Sequence, residues 1–184
     1  EDVKVFADLK LTDISNTLEM DSAMLAEYEP EFVTVMCSAG EKAIAKVIQT
    51  MGAKTTVLGV TVLTDLDDVQ CKIIHGDTIL PTVLRLAELG KNAGLGNLVC
   101  SAKEAPAIRK EPNLASFVLN APAIRPAWSL VKGDDQTKGR VVTVADAFSL
   151  GADRIIVGRP ITQAEKPLEA LNRTLLEIID AIES

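Results

Sequence analysis

Thr55-Thr56-Val57-Leu58-Gly59-Val60-Thr61-Val62-Leu63 is the stretch whose reading decides the fold. It is almost continuously apolar and lacks the polar-out alternation of a half-exposed strand. A strand of this kind is buried on both faces, as in a parallel sheet covered by helices. Working upstream, Glu41 to about Met51 reads as a helix, and Phe32-Val33-Thr34-Val35-Met36 as a strand rich in β-branched residues. Before it, a helix runs from an N-cap at Ser15 or Asn16 to about Tyr28, where Pro30 stops it. The strand-like run Val3–Ala7 opens the chain and leads into Asp8-Leu-Lys-Leu-Thr-Asp13.

Downstream, Asp65 to Gly76 reads as a polar, irregular segment, with His75 a loop residue before Gly76. Thr78 to Asn92 is a helix that tolerates Pro81 in its first turn. Strands follow at Asn97–Ser101 and Ser116–Asn120, separated by a short helix around Glu104–Lys110. Ala121 to Gly139 is the longest structureless piece, and a loop of that length in a compact domain is usually functional or disordered. Val141–Leu150 reads as a helix, Arg154–Val157 as a strand, and Ala164–Ser184 as the last helix, with Leu168, Leu171, Leu175, Ile178 and Ile182 along one side.

Strand followed by helix recurs six times without hairpin signals, which means an α/β fold with a parallel sheet. The spacing fits a (β/α)8 TIM-barrel type with six β/α units visible, residues 1–184 forming one incomplete barrel domain whose first two units are absent. An open doubly wound sheet is the alternative, but no GxGxxG follows any strand.

The 184 residues carry a formal net charge of −7, which disfavours general nucleic-acid binding. No apolar run approaches the ~18–20 residues of a membrane span, and no signal peptide is visible at the acidic start Glu1-Asp2. Cys37, Cys71 and Cys100 lack CxxC spacing and read as reduced, half-buried thiols of a cytoplasmic protein. Zinc spacing, a Walker loop and a GxSxG elbow are all missing, so the chemistry falls to Asp, Lys, Thr, Ser and Gln.

Side chains alternate along a strand, so Asp8 and Lys10 share a face, and Asp13 follows three residues later. This minus–plus–minus array repels a third negative charge. It suits expulsion of a substrate carboxylate followed by proton delivery to the carbanion; a salt-bridged strand end is the other reading. In a barrel, active residues gather at the C-terminal strand ends, which adds Cys37, Ser38, Thr64, Ser101, Asn120 to Arg125, and Gly158-Arg159. Gly158-Arg159-Pro160 is the phosphate candidate, a glycine allowing close backbone approach beside a bidentate cation. Arg125 and Gln136 in the long loop are placed to close over the same phosphate.

The segment Asp8-Leu-Lys-Leu-Thr-Asp-Ile-Ser-Asn-Thr17 resembles the D-x-K-x-x-D-I-x-N-T signature of the orotidine 5′-phosphate decarboxylase family, its bacterial branch in particular. The likeness continues in order through Val60–Thr64, Val99–Glu104, Ile124-Arg-Pro126, Asp135-Gln136 and Ile156–Thr162. The resemblance implies a (β/α)8 barrel acting as a homodimer, with neither metal nor organic cofactor and with orotidine 5′-phosphate as substrate. It implies Lys10 as proton donor to C6 of the pyrimidine and Asp8 as the group that stresses the substrate carboxylate. Asp13 and Thr17 would reach the partner subunit's site. Thr64 would touch the pyrimidine, and Arg125, Gln136, Gly158 and Arg159 would bind the 5′-phosphate. The family's T-P-G-I-R loop reads Ala121-Pro-Ala-Ile-Arg125 here, with Ala123 in place of glycine, which makes a positive φ harder. Two alternatives stay open: a magnesium-dependent sugar-phosphate decarboxylase or lyase of the same suprafamily, and a truncated, non-catalytic nucleotide-binding paralogue.

Overall fold

The computed structural model describes residues 3–130 and 141–183. Six strands, β1 (Phe6–Leu11), β2 (Phe32–Met36), β3 (Thr56–Val60), β4 (Asn97–Val99), β5 (Val118–Ala121) and β6 (Arg154–Ile155), form one sheet in chain order. Every neighbouring pair is parallel. A doubly wound sheet reverses its order at a switch point; this one does not, so the open-sheet alternative falls away. The sheet curls. Phe6 and Phe32 meet edge-to-face at 5.8 Å, and the Arg154 guanidinium of β6 lies 5.3 Å from the Phe32 ring of β2. Phe6 and Phe32 are neighbours in the sheet, but β6 stands four places from β2, so the Arg154 contact reaches across the inside of a curved sheet.

The period-2 alternation sorts the strands into two layers. Leu58, Val60 and Val99 face inward with Phe6, Phe32, Met36 and Ile156 packed on them. Val33, Val35, Val57, Leu98 and Leu119 face outward into the core shared with the helices. That double burial is why the β3 region reads as unbroken apolar sequence. Gly59 sits where the outer layer is tightest: a Cβ there would lie 2.8 Å from Cys37 Sγ.

Helices α1 (Ser15–Ala26), α2 (Glu41–Met51), α3 (Asp68–His75), α4 (Ile79–Asn92), α5 (Ala105–Lys110) and α6 (Val144–Ser149) connect the strands, and α7 (Arg159–Thr162) and α8 (Pro167–Glu183) follow β6. No helix of the described residues is long and apolar enough to cross a membrane. At the end opposite the strand C-termini, Arg109 donates to the carbonyls of Ala115, Phe117 and Gly151 and pairs with Asp153, tying α5 to the β5 and β6 entries.

Several boundaries differ from the sequence reading. β1 begins later than Val3 and runs through Asp8 and Lys10 to Leu11. Ile14, with no side-chain cap, occupies the N-cap of α1 instead of Ser15 or Asn16. The segment read as irregular contains α3, closed at its start by a reciprocal Asp67–Gln70 capping box. His75 is the last residue of that helix, and Gly76, at φ 85°, is its C-cap. The Val141–Leu150 helix starts only at Val144, because Val142 first pairs with Ile124 in a parallel bridge.

Candidate active site

The charged stretch sits in a break of the β1–β2 pairing. Ala7 faces Val33 and Leu11 faces Val35, so four steps of β1 span two steps of β2. The surplus residues bulge toward the mouth of the curled sheet, and Lys10 takes a left-handed backbone conformation, φ 51°. Lys10 Nζ lies 2.7 Å from Asp8 Oδ2. Asp8 Oδ1 accepts the Thr34 hydroxyl at 2.9 Å, and the Lys10 backbone N–H donates to that same hydroxyl at 2.8 Å. Asp8 and Lys10 therefore meet as expected, through a bulge and not through regular alternation.

Asp13 stands apart from this pair. Its carboxylate accepts the Ile14 N–H at 2.7 Å, and the side chain is exposed at the start of α1. Thr17 is half-buried in the first turn of that helix.

Two adjoining hollows occupy the mouth. The one holding Asp8 and Lys10, about 180 Å³, has an apolar floor that includes Phe6, Val60 and Val99. The other, about 330 Å³, is lined by Asp65, Arg125, Gly158 and Arg159 among others. Thr64, Pro122 and Ile156 belong to both, so the two form one cavity with Thr64 at the junction. One end holds a carboxylate beside an ammonium. The other holds two guanidinium groups at a strand-end glycine. Arg125 is nearly buried, its backbone N–H held by Val142 and its Nη1 donating to the Ile124 carbonyl at 3.3 Å. The N–H groups of Ile161 and Thr162 turn back onto the Gly158 carbonyl to start α7. Asp65, which sequence reasoning passed over, lines the cationic end; its place directly after Thr64 was the available signal.

Other strand-end candidates do not join the cavity. Cys37 is fully buried in the outer, helix-side core, and burial pushes its thiol from 9.0 up to about 12. Ser101 is buried as the N-cap of a short 3-10 turn, accepting from the Lys103 N–H. Asn120 is buried and donates its amide to the carbonyls of Leu98 and Val118. All three cysteines are buried, deeper than the half-burial expected. Gln136 lies outside the described residues. Among the described residues, no group of three or more His, Cys, Asp or Glu is arranged to hold a metal ion.

Residues 1–174 match the family model described as orotidine 5′-phosphate decarboxylase / HUMPS family.

The chain belongs to the orotidine 5′-phosphate decarboxylase / HUMPS family.

It is 41% identical over 182 residues to orotidine 5′-phosphate decarboxylase of Pseudomonas paraeruginosa, covering 95% of this chain and 75% of the relative. To the enzyme of that name from Erythrobacter litoralis it is 40% identical over 168 residues, 90% of this chain and 72% of the relative. The crystal structure of orotidine 5′-phosphate decarboxylase from Lactobacillus acidophilus superposes with a TM-score of 0.76 at 27% identity, covering 95% of this chain and 75% of that one. The six parallel strands in chain order, alternating with helices, fit six units of the TIM barrels to which such relatives belong.

Ala123, on the cavity wall, has φ 62°, so the residue that replaces the family's glycine does hold the left-handed conformation. Ala123→Gly should raise stability by roughly 1 kcal/mol in urea titration, the cost of an L side chain in that region; a loss of stability would contradict the strain. The Cys37 thiol is protonated in the native state at pH values where the unfolded thiol ionises. Native protein thus binds the extra proton between about pH 9 and 12, and stability falls as pH rises through that window, full below it. Comparing the pH slope of unfolding free energy for the wild type with that for Cys37→Ala from pH 8 to 10.5 checks this; the wild type should lose more.

Proposed function

We propose that this chain decarboxylates orotidine 5′-phosphate to uridine 5′-phosphate at the mouth of the curled sheet. The observation that carries the reading is the polarity of the cavity: Asp8 and Lys10 at one end, Arg125, Gly158 and Arg159 at the other, with an apolar slot and Thr64 between. The phosphate belongs at the guanidinium end, where bidentate donors match its geometry. The pyrimidine then fills the apolar slot beside Thr64, and its carboxylate comes to lie against Asp8.

Two negative charges forced together in a site with an apolar wall repel strongly. Binding energy from the phosphate, remote from the reacting carbon, offsets that repulsion. The bond from C6 to the carboxylate carbon breaks, CO2 leaves, and the electron pair stays on C6. Lys10 Nζ, held 2.7 Å from Asp8, transfers a proton to C6. No metal or organic cofactor takes part in these steps.

The partner in this reading is a second copy of the chain. Asp13 is exposed at the start of α1, beside Ile14, itself 71% exposed, and Met20 and Met24 of the same helix are exposed too. An apolar helix flank next to a carboxylate suits a homodimer in which Asp13 and Thr17 reach the partner's site. Gln136, outside the described residues, is assigned to the same phosphate by the family resemblance alone. The three reduced, buried thiols suit the cytoplasm.

Lys10→Ala should abolish turnover of orotidine 5′-phosphate, followed by the change in pyrimidine absorbance, while the circular dichroism spectrum stays that of the wild type. A folded Lys10→Ala protein with wild-type turnover would remove the mechanism, and a wild type without turnover would remove the function.

A further inference from the structure

Thr34 lies in the middle of β2, 1% exposed, and belongs to neither part of the cavity lining. Its hydroxyl nevertheless makes two hydrogen bonds, and both go to the charged bulge. The Lys10 backbone N–H is purely a donor, so Thr34 Oγ1 must accept from it, at 2.8 Å. The hydroxyl has one proton, and that proton then points at Asp8 Oδ1, 2.9 Å away. Asp8 Oδ2 is left for Lys10 Nζ at 2.7 Å. The three groups close a ring: hydroxyl to carboxylate, carboxylate to ammonium, and the amide of the same lysine back to the hydroxyl.

Each bond in the ring constrains a different degree of freedom. The amide bond pins the backbone of Lys10 in a left-handed conformation that an L residue avoids by roughly 1–2 kcal/mol. The bond to Oδ1 fixes the rotation of the Asp8 carboxylate about its χ2, which is otherwise broad. Because Thr34 is buried in the sheet, neither constraint yields to solvent.

We propose that Thr34 is a positioning residue for the decarboxylation: through this one hydroxyl it sets both the carboxylate plane of Asp8 and the approach of the Lys10 ammonium. The inference rests on the functional reading above. Thr34 acts through the two residues and touches no substrate atom. It is distant in role from the phosphate end, so its loss is felt in the chemical step and not in nucleotide binding.

Thr34→Val keeps the β-branched shape and removes both hydrogen bonds, whereas Thr34→Ser keeps the hydroxyl. The expected result is a fall in kcat of roughly 10–100-fold for Thr34→Val, the scale of a misplacement near 1 Å, with KM within about 3-fold of the wild type. Thr34→Ser should recover kcat to within about 3-fold. A merely structural threonine would leave kcat unmoved in the folded Val variant, or make Ser as poor as Val; either result overturns the proposal, as does a rise in KM with kcat unchanged.

Amide hydrogen exchange at Lys10 supplies a readout that needs no turnover. That amide should be protected in the wild type and in Thr34→Ser and should exchange faster in Thr34→Val. If the wild type does not turn over orotidine 5′-phosphate, the functional reading fails, and the exchange pattern alone decides whether Thr34 holds the bulge. If Thr34→Val does not fold, an unprotected Lys10 amide in the wild type still overturns the proposal.

Discussion

A lysine with a left-handed backbone at the end of a parallel strand is the constraint on which this structure turns. Regular pairing of β1 with β2 would carry Lys10 along the sheet, level with its neighbours. Instead β1 bulges between Ala7 and Leu11, and the stretch from Asp8 to Lys10 leaves the ladder. The Lys10 conformation is unfavourable in itself and persists because the Thr34 hydroxyl holds its amide and Asp8 holds its ammonium. The outcome is a carboxylate and an ammonium fixed at the rim of an apolar hollow, still half-exposed and open to a ligand. A second non-glycine residue of positive φ, Ala123, lies on the wall at the other end of the cavity. Among the three such residues described, two therefore border the cavity, in keeping with the tendency of strained backbone to collect at functional sites.

The charge layout explains how an acidic chain accommodates an anionic ligand. A net charge of −7 spread over the surface is screened within about a Debye length. Inside the mouth, Arg125 and Arg159 dominate one end, and Asp8 with Lys10 the other. In the proposed function, a ligand with a phosphate at one terminus and a carboxylate at the other enters with its phosphate at the guanidinium end. In that reading, attraction at the guanidinium end offsets repulsion at the Asp8 end, so the two halves of the cavity act as a unit although no residue spans both charges.

Much of the fold was legible because burial on both sheet faces leaves a strong imprint: the apolar run around β3 and the strand–helix alternation required a parallel sheet. The order β1 to β6 was harder to read, since composition does not distinguish a sheet that winds one way from one that doubles back. Helix α3 was missed because its polar residues mask a short amphipathic pattern, although the Asp67–Gln70 spacing of its capping box was visible. In the site, Asp8, Lys10, Thr64, Arg125, Gly158 and Arg159 come together around one cavity as the sequence suggested. Asn120, level with inward-facing Val99, spends its amide on the carbonyls of Leu98 and Val118, and Ser101 caps a turn; Cys37 illustrates a different limit. A strand end places a residue near the mouth, but a step of one residue decides whether it faces the cavity or the core. Thr34 was invisible for a related reason: its part depends on a hydrogen bond across strands, which no local pattern announces.

The most direct measurement is a crystal structure of the chain with uridine 5′-phosphate bound. The 5′-phosphate should lie between Gly158, Arg159 and Arg125, with the pyrimidine in the apolar slot beside Thr64 and C6 facing Lys10 Nζ. A nucleotide bound with its phosphate against Asp8 and Lys10, or seated away from this cavity altogether, would contradict the assignment of the two ends and the mechanism built on them.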